Sequence, residues 1–153
     1  MAFRIRQAQL SDRNDLVKMR ALLWPDTPIE ELPSELTPVL QTGLSGALPA
    51  AILVSQNESG ELTGFPDVGL RSHADGCDPS QPVGYIEGWF VYEAFRNRGI
   101  GKELMRAAEA WARGRGCREM ASDTWIDNEA SQRAHEALGF EAVDRCVNFR
   151  KPL

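Results

Sequence analysis

The feature that most constrains this chain is a short glycine-bearing segment, Phe95–Lys102, which connects a strand-like run to a helix-like run. The run before it, Tyr85–Tyr92, is mostly apolar, and the run after it, Gly101–Arg113, has apolar residues at helical spacing. The first N–H groups of a helix have no partner inside it, and the helix dipole is positive at that end. Three basic side chains surround these groups: Arg96, Arg98 and Lys102. The segment therefore predicts a cradle for a pyrophosphate group.

Two better-known phosphate motifs do not match this segment. The pattern Gly-x-x-x-x-Gly-Lys-Ser/Thr of nucleoside-triphosphate loops is absent. The dinucleotide pattern Gly-x-Gly-x-x-Gly is also incomplete, because no further glycine follows Gly101 at the required spacing. The alternative to a phosphate site is an ordinary strand-to-helix turn, in which glycines relieve tight backbone geometry.

Length and composition predict one globular domain, residues 1–153. Domains usually run about 100–200 residues, and an apolar content of 42% is enough for a core and too high for a disordered chain. No segment approaches the roughly 20 apolar residues of a membrane-spanning helix, so no membrane partner is expected. The first residues, 1–6, alternate in the manner of a strand and do not resemble a signal peptide.

The cysteines indicate a reducing compartment. Cys77, Cys117 and Cys146 form no close-spaced metal motif. Their odd number argues against a disulfide framework, so a cytoplasmic protein without a metal is the simplest interpretation.

Charge is distributed unevenly along the chain. The net charge is −5, yet residues 21–70 contain no Lys, Arg or His and carry several carboxylates, whereas Arg and Lys dominate residues 96–118. The acidic span suits a cationic ligand and the basic span suits a polyanion. The alternative is two solvated faces that keep the protein soluble. Nucleic acid is not an expected partner, because the chain lacks a net basic surface with interleaved aromatic residues.

Periodicity predicts a chain that alternates strands and helices. Strands are expected at Phe3–Ala8, Ala50–Ser55, Leu62–Leu70, Val83–Tyr92, Cys117–Thr124 and Ala142–Arg150. Helices are expected from an N-cap at Ser11 to Trp24, over Gly101–Arg113 and over Asn128–Leu138. Between Asp26 and Leu48 only short helical pieces are expected, near residues 30–32 and 38–42, and Pro66 predicts an edge position or a bulge. This order predicts a mixed sheet flanked by helices.

Several of these segments together resemble the GNAT acetyltransferases. The pattern Arg96-x-x-Gly99-x-Gly101 resembles the acetyl-CoA loop of that superfamily. The segment Asn128–Phe140 resembles its second hallmark, a helix that opens on Asn and ends in Leu-Gly-Phe. Four further segments are similar to bacterial aminoglycoside 6′-N-acetyltransferases: Leu23–Pro25, Asp75–Asp78, Ile86–Val91 and Gly116–Thr124. The resemblance implies an α/β (α+β) fold with a mostly antiparallel sheet that is splayed at the acetyl-CoA site.

The resemblance also implies an activity and partners. The expected reaction moves acetyl from acetyl-CoA to the 6′-amino group of an aminoglycoside antibiotic, which confers resistance, and a homodimer is expected. One alternative is a GNAT enzyme that acetylates a protein N-terminus, a lysine or a polyamine. A second alternative is a non-catalytic sensor that binds acyl-CoA.

The resemblance implies a set of residues around the donor. Those expected to bind acetyl-CoA are Phe90, Val91, Arg96, Asn97, Arg98, Gly99, Ile100, Gly101, Lys102 and Asn128. For Asn128 the alternative is a helix N-cap. A bulge in the strand before the loop is also implied, with Gly88 as its natural site, and close packing is the alternative for that glycine.

Catalytic residues follow from the same comparison. Glu87 is implied to accept the amine proton through water, and Asp123 to orient the amine. The alternatives are a glutamate that faces solvent or pairs with an arginine, and a turn aspartate. His135 stands where many relatives have a tyrosine that acts as the general acid toward the thiolate. The histidine could protonate the thiolate, could pack beside the sulfur, or could leave protonation to solvent.

Further residues are expected to contact the acceptor. Trp24 is implied to form an apolar wall for a sugar ring, and a core tryptophan is the alternative. Asp67, Glu35 and His73 are weaker candidates around a polycation.

Overall fold

A six-stranded sheet organises the chain, and the computed structural model describes residues 2–153. The strands are β1 (Phe3–Gln7), β2 (Leu44–Ser45), β3 (Leu48–Asn57), β4 (Leu62–Arg71), β5 (Val83–Val91) and β6 (Met120–Ser122). The helices are α1 (Arg13–Leu23), α2 (Leu32–Thr42), α3 (Ile100–Arg113) and α4 (Glu129–Ala137). Short 3₁₀ turns occupy Leu10–Asp12 and Glu93–Phe95.

The sheet is mixed and mostly antiparallel, as expected. The strand order is β1-β3-β4-β5-β6, and β2 pairs with β3. Only β5 and β6 run parallel, and their pairing covers just three positions, from Gly84↔Met120 to Ile86↔Ser122. β5 continues to Val91 whereas β6 stops at Ser122, so the two strands share a seam and then part. The prediction of a splayed sheet is confirmed.

Helices cover both faces of the sheet. On one face, α1 and α2 bury Leu16, Met19 and Leu36 against Phe65 and neighbouring strand residues. On the other face, α3 buries Met105 and Ala108 against strands β3, β4 and β5. Burial of apolar area on both sides is the main favourable term for such a layered fold. The helical periodicity of residues 100–113 thus predicted the correct face of α3.

The predicted beginning of the first helix was wrong. A 3₁₀ turn precedes α1, and Ser11 lies inside that turn. The N–H group of Gln9 donates to Asp12 Oδ2 at 2.7 Å, and Arg6 pairs with the same carboxylate at 2.7 Å. Asp12 therefore organises this corner, and its hydrogen bond from Arg6 is the main cause of its lowered pKa.

The segment before β3 is more regular than predicted. A single helix, α2, runs through Pro38 instead of two short pieces. A proline inside a helix removes one hydrogen bond. Leu32, Leu36 and Val39 are buried along one side of this helix, so tertiary packing offsets the local defect.

Pro66 lies in a central strand, and the predicted edge position was wrong. β4 is flanked by β3 and β5, and Pro66 is paired with Trp89 of β5. The β3–β4 register passes from Ile52↔Asp67 to Ser55↔Gly64, so the stretch that holds the proline is skipped in that ladder. The predicted bulge lies next to the proline but in the other strand, because the β4–β5 register shifts between Asp67 and Val68 and the extra residue belongs to β5.

The last strand predicted by the sequence does not form within the chain. Residues 141–153, the C-terminal arm, have no regular secondary structure. Val143, Val147 and Phe149 are 62%, 74% and 93% exposed. A strand requires a neighbour for its backbone groups, and within residues 2–153 no strand pairs with the arm. Among these residues there is also no helix long and apolar enough to cross a membrane.

Candidate active site

The site is organised by one extra residue in β5. Asp67 pairs with Gly88 and Val68 pairs with Ile86, so Glu87 lies opposite no residue of β4. Such a bulge bends the strand and redirects the unpaired side chain. The Glu87 side chain is 42% exposed although its strand is otherwise largely buried. The bulge that was expected at Gly88 is thus centred on the residue before it.

Gly88 itself is paired with Asp67 and closely packed, which is the alternative that the sequence left open for this glycine. A Cβ atom built on Gly88 would lie 2.6 Å from Trp24 Cη2 and 3.2 Å from Leu23 Cδ2. Trp24 follows the last residue of α1, because Pro25 disfavours helix at the residue before it. The structure therefore places the Trp24 ring directly against the bulge, beside Glu87.

Glu87 is held by an arginine that ends the neighbouring strand. Arg71 Nε and Nη2 donate to Glu87 Oε1 at 3.0 and 2.9 Å, and Nη2 also donates to Oε2 at 2.8 Å. The guanidinium carbon lies 3.4 Å from the centroid of the Tyr85 ring, which is a cation–π contact. Arg71 is the last residue of β4, two positions after Gly69, which pairs with Tyr85.

Tyr85 connects this group to β6. Its phenol donates to Asp123 Oδ2 at 2.9 Å, and Tyr85 is only 7% exposed. Burial, followed by the hydrogen bond to Asp123, raises the pKa of the Tyr85 phenol, so it stays a donor. Glu87 and Asp123, predicted from positions 36 residues apart, are therefore linked through Arg71 and Tyr85. Sequence reasoning missed Tyr85, although a polar-tipped aromatic two residues before Glu87 was a usable signal.

A buried ion pair lies on the other side of the bulge. Arg20 of α1 is 4% exposed and donates to Asp67 of β4, which is 8% exposed. Arg20 Nη1 also donates to Glu35 Oε2 of α2 at 3.3 Å, and the guanidinium carbon lies 5.3 Å from the Trp24 ring centroid. Burial raises the pKa of Asp67 to about 6, against the lowering effect of Arg20. Sequence reasoning selected Asp67 but missed Arg20, the residue that connects it to the first two helices.

His135 lies behind the β5–β6 seam. Its Nδ1 is 2.7 Å from the Ser131 carbonyl oxygen, and its Nε2 is 2.9 Å from Ser122 Oγ. Because a carbonyl oxygen only accepts, Nδ1 carries a proton in this contact. The imidazole meets the rings of Trp89 and Phe140 edge-on, at centroid distances of 5.4 and 5.3 Å. Both ring nitrogens are thus engaged, and the partner of Nε2 is the residue before Asp123.

Asn128 has the geometry of a helix N-cap. Its side-chain oxygen accepts the N–H of Ser131 at 3.1 Å at the start of α4. This contact satisfies one of the N–H groups that a helix leaves unpaired.

The predicted pyrophosphate cradle has the expected backbone form. Gly99, the residue before α3, has φ +82°, a left-handed conformation that favours glycine, and Asn97 has φ +61°. Glu103 N–H donates to the Gly99 carbonyl at 3.1 Å and forms the first bond of the helix. The N–H groups of residues 100–102 precede this bond, so they have no partner in the helix itself.

The cradle is anchored on β5. Trp89 Nε1 donates to the Gly101 carbonyl at 3.1 Å, and a Cβ on Gly101 would lie 3.2 Å from Trp89 Cζ2. Arg96 Nε donates to the Val91 carbonyl at 2.9 Å. Glycine is therefore required at these two positions for different reasons: Gly99 allows the left-handed backbone of the turn, and Gly101 allows the Trp89 indole to approach.

Two residues raised by the sequence lie apart from these contacts. His73 is exposed in the loop after β4, where its Nδ1 is 3.2 Å from Ser72 Oγ. Cys117 is 6% exposed, and burial raises the pKa of its thiol, which disfavours a thiolate nucleophile. Within residues 2–153, no group of three or more His, Cys, Asp and Glu side chains could hold a metal ion.

The arrangement combines two kinds of binding surface on a single strand. Near the end of β5, unpaired N–H groups and basic side chains suit a diphosphate. Around the bulge, four carboxylates outnumber two guanidinium groups, which suits a cation: Glu35, Asp67, Glu87 and Asp123 against Arg20 and Arg71. The gap between β5 and β6 lies between these surfaces. Such a site can bring an anionic donor and a cationic acceptor together.

The chain belongs to the acetyltransferase (GNAT) family, whose profile matches residues 16–140. It is 42% identical to aminoglycoside N(6′)-acetyltransferase type 1 of Klebsiella aerogenes, over 97% of this chain and 96% of that protein. It is 38% identical to the protein of the same name from Stenotrophomonas maltophilia, over 97% and 93% of the two chains. Among solved structures, AAC(6′)-Iy in complex with the bisubstrate analogue CoA-S-monomethyl-acetylneamine superposes with a TM-score of 0.88 at 36% identity, with full coverage of both chains.

Proposed function

We propose that this protein transfers acetyl from acetyl-CoA to the 6′-amino group of aminoglycosides. The names of its relatives support this substrate class, and the excess of carboxylates around the bulge carries the proposal structurally. A polycation is attracted to such a cluster. A polyamine would be attracted to the same cluster, but the names of the relatives give no support to a polyamine, a protein N-terminus or a lysine as acceptor, nor to a non-catalytic acyl-CoA sensor.

The donor binds along the end of β5 and the start of α3. The N–H groups of residues 100–102, together with the side chains of Arg98 and Lys102, hold the diphosphate. The pantetheine arm extends into the gap between β5 and β6, near Phe90 and Val91, and Asn128 lies on its other side. The acetyl group then reaches the level of the bulge, where the acceptor amine is held.

Transfer proceeds by direct attack of the amine on the thioester carbonyl. Asp123 orients the ammonium group, and Glu87 takes its proton through a water molecule. The nitrogen forms a bond to the carbonyl carbon, and the carbon–sulfur bond breaks with its electrons on sulfur. Holding both substrates on one strand lowers the entropic barrier of this bimolecular step.

The thiolate leaves with or without help from the protein. His135 as the acid stays a prediction. Its Nε2 contacts the Ser122 hydroxyl, so any proton that this nitrogen delivers to the sulfur passes through that group.

The proposal is tested by release of free CoA from acetyl-CoA in the presence of kanamycin or tobramycin. Turnover is expected with these compounds and not with peptides or polyamines at the same concentration. Glu87→Gln and Asp123→Asn should each lower kcat about 10²- to 10⁴-fold, while acetyl-CoA binding measured by calorimetry is unchanged. Acetyl-CoA binding without turnover of any 6′-amino aminoglycoside would favour the sensor and refute the proposal.

We also propose that the protein is a homodimer in the cytoplasm. The C-terminal arm exposes an alternating apolar side, and within residues 2–153 no strand pairs with the outer edge of β6, the last strand of the sheet. A cavity of about 420 Å³ lies beside that edge, between the end of α3 and residues 117–120. The arm of one copy can add to the β6 edge of the second copy as a strand. The cytoplasmic location rests on the three cysteines, which carry free thiols.

A further inference from the structure

We propose that Arg71 is a resident counter-ion of the acceptor site: its guanidinium occupies Glu87 until an ammonium group of the acceptor displaces it. Arg71 would then set how strongly the site discriminates between cations. This inference rests on the proposed function, because it concerns the acceptor of that reaction.

The contacts show that Arg71 occupies the group the acceptor needs. Both oxygens of Glu87 accept hydrogen bonds from Arg71, at 2.8 to 3.0 Å. When a carboxylate is paired in this bidentate way, the guanidinium compensates its charge and few lone pairs are left to accept from water or an amine. Glu87 cannot receive a proton from the acceptor until this pair opens.

The pair is exposed enough to open. The side chains of Arg71 and Glu87 are 43% and 42% accessible to solvent, and ion pairs of this kind contribute little net stability. The Arg20–Asp67 pair is a contrast, because those side chains are only 5% and 12% accessible. A cation that arrives from solvent can therefore compete with Arg71 for Glu87 but not with Arg20 for Asp67.

Arg71 has a second contact, with the Tyr85 ring, that does not depend on Glu87. Its guanidinium lies 3.4 Å from the Tyr85 ring centroid. Arg71 is also the last residue of β4, next to the 72–82 loop. The guanidinium can keep its contact with Tyr85 while it gives up the carboxylate.

The exchange has a consequence for acceptor choice. Replacing one cation by another at Glu87 changes the local charge little, so a monoamine gains little from this contact. An acceptor with further ammonium groups also meets Glu35 and Asp123, which Arg71 does not contact. The resident guanidinium thus favours polycations over simple amines.

The test measures kanamycin binding by calorimetry in the wild type, Arg71→Met and Arg71→Lys. Loss of the competing charge in Arg71→Met should lower the Kd for kanamycin roughly fivefold at low salt, because one contact charge pair in water contributes about that much. The decrease should be smaller at high salt, where the charges are screened. Arg71→Lys should fall between the two. Arg4→Met removes the same charge at the far edge of the sheet, on β1, and should leave the Kd within a factor of two of the wild type, well below the effect at Arg71.

A second measurement uses the unaltered protein. The Nε–H signal of Arg71, assigned by its loss in Arg71→Lys, should shift when the wild type is saturated with kanamycin, because its acceptor Glu87 is taken away. An unchanged or higher Kd in Arg71→Met, or an unchanged Nε–H signal, overturns the inference even if kanamycin is acetylated. Failure of the proposed function gives a different result, because the wild type would then neither acetylate kanamycin nor bind it.

Discussion

Tyr85 and Asp123 join the two strands that part at the candidate active site, through a hydrogen bond of 2.9 Å from phenol to carboxylate. The bond lies at the seam where β5 and β6 share only three paired positions. Asp123 follows β6 and has no ladder partner, so its carboxylate is positioned by a side chain of the opposite strand. With the role proposed for Asp123, Tyr85 would be a positioning residue for the acceptor amine.

Tyr85→Phe should lower kcat/KM for an aminoglycoside roughly 10- to 100-fold, because a hydrogen bond to a charged group contributes about 1.5–3 kcal/mol. The KM for acetyl-CoA should not change, which separates this effect from a general loss of structure. Tyr92→Phe is the matched control, since it removes the same atom from the other tyrosine of the chain. Equal losses in both variants would argue against the assignment.

Gly99→Ala should destabilise the cradle. An alanine at φ +82° costs about 1–2 kcal/mol, so the melting temperature should fall and the KM for acetyl-CoA should rise. Gly114→Ala is the control, because this glycine has φ −61° at the other end of α3 and alanine fits there. If the control weakens acetyl-CoA binding as much as Gly99→Ala, the cradle is not the donor site.

Gly88→Ala should displace Trp24, because the added methyl would lie 2.6 Å from its ring. Overpacking of this kind costs about 1–3 kcal/mol. The double variant Gly88→Ala with Trp24→Ala should be less destabilised than the two single effects combined, as measured by urea unfolding. Additive effects would show that the two residues are not coupled.

Asp67 should make the stability of the fold depend on pH. Its folded pKa of about 6 exceeds the unfolded value of about 3.9. The stability linked to this raised pKa is therefore fully present below about pH 4 and is lost as pH rises through about 6.

The measurement compares the wild type with Asp67→Asn between pH 4 and pH 7. The wild type should lose free energy of unfolding relative to the variant as pH rises, by up to about 3 kcal/mol. Glu58→Gln, in the turn between β3 and β4, should run parallel to the wild type. A constant difference between wild type and Asp67→Asn across this range would contradict the raised pKa.

The C-terminal arm should hold the dimer together. Val147→Asp with Phe149→Asp puts charges on the side of the arm that is exposed in a single copy, so light scattering after size exclusion should report a monomer. Leu22→Asp alters another exposed apolar residue, which is 61% accessible on α1, and should leave the dimer intact. A wild type that is monomeric at all concentrations tested would remove the proposal.

What could be predicted from the sequence is what depends on neighbours in the sequence. The strand, turn and helix around residues 83–113 follow from the apolar run before the turn, from Gly99 and from helical spacing after it, and all three formed as expected. Glu87 and Asp123 were selected because the resemblance assigned them roles. Their connection was not predictable, because Tyr85 and Asp123 are 38 residues apart and meet only through the sheet register.

Two failures have a common physical origin in tertiary contacts. The penalty at Pro38 predicted a broken helix, but burial of Leu36 and Val39 keeps α2 continuous. Alternation at residues 142–150 predicted a strand, but within residues 2–153 no neighbouring strand pairs with this segment. A local pattern reports what a segment prefers and does not report which partner is present.

Glu87 and Trp89 stand two positions apart on β5; Glu87 is the proposed base, and Trp89 anchors the start of α3 through the Gly101 carbonyl. Two residues of extended strand span at most about 7 Å. The spacing between these two side chains is therefore dictated by covalent bond lengths and angles, which thermal motion barely alters. Substitutions in the surrounding loops can change the entrance to the candidate site far more easily than they can change this spacing.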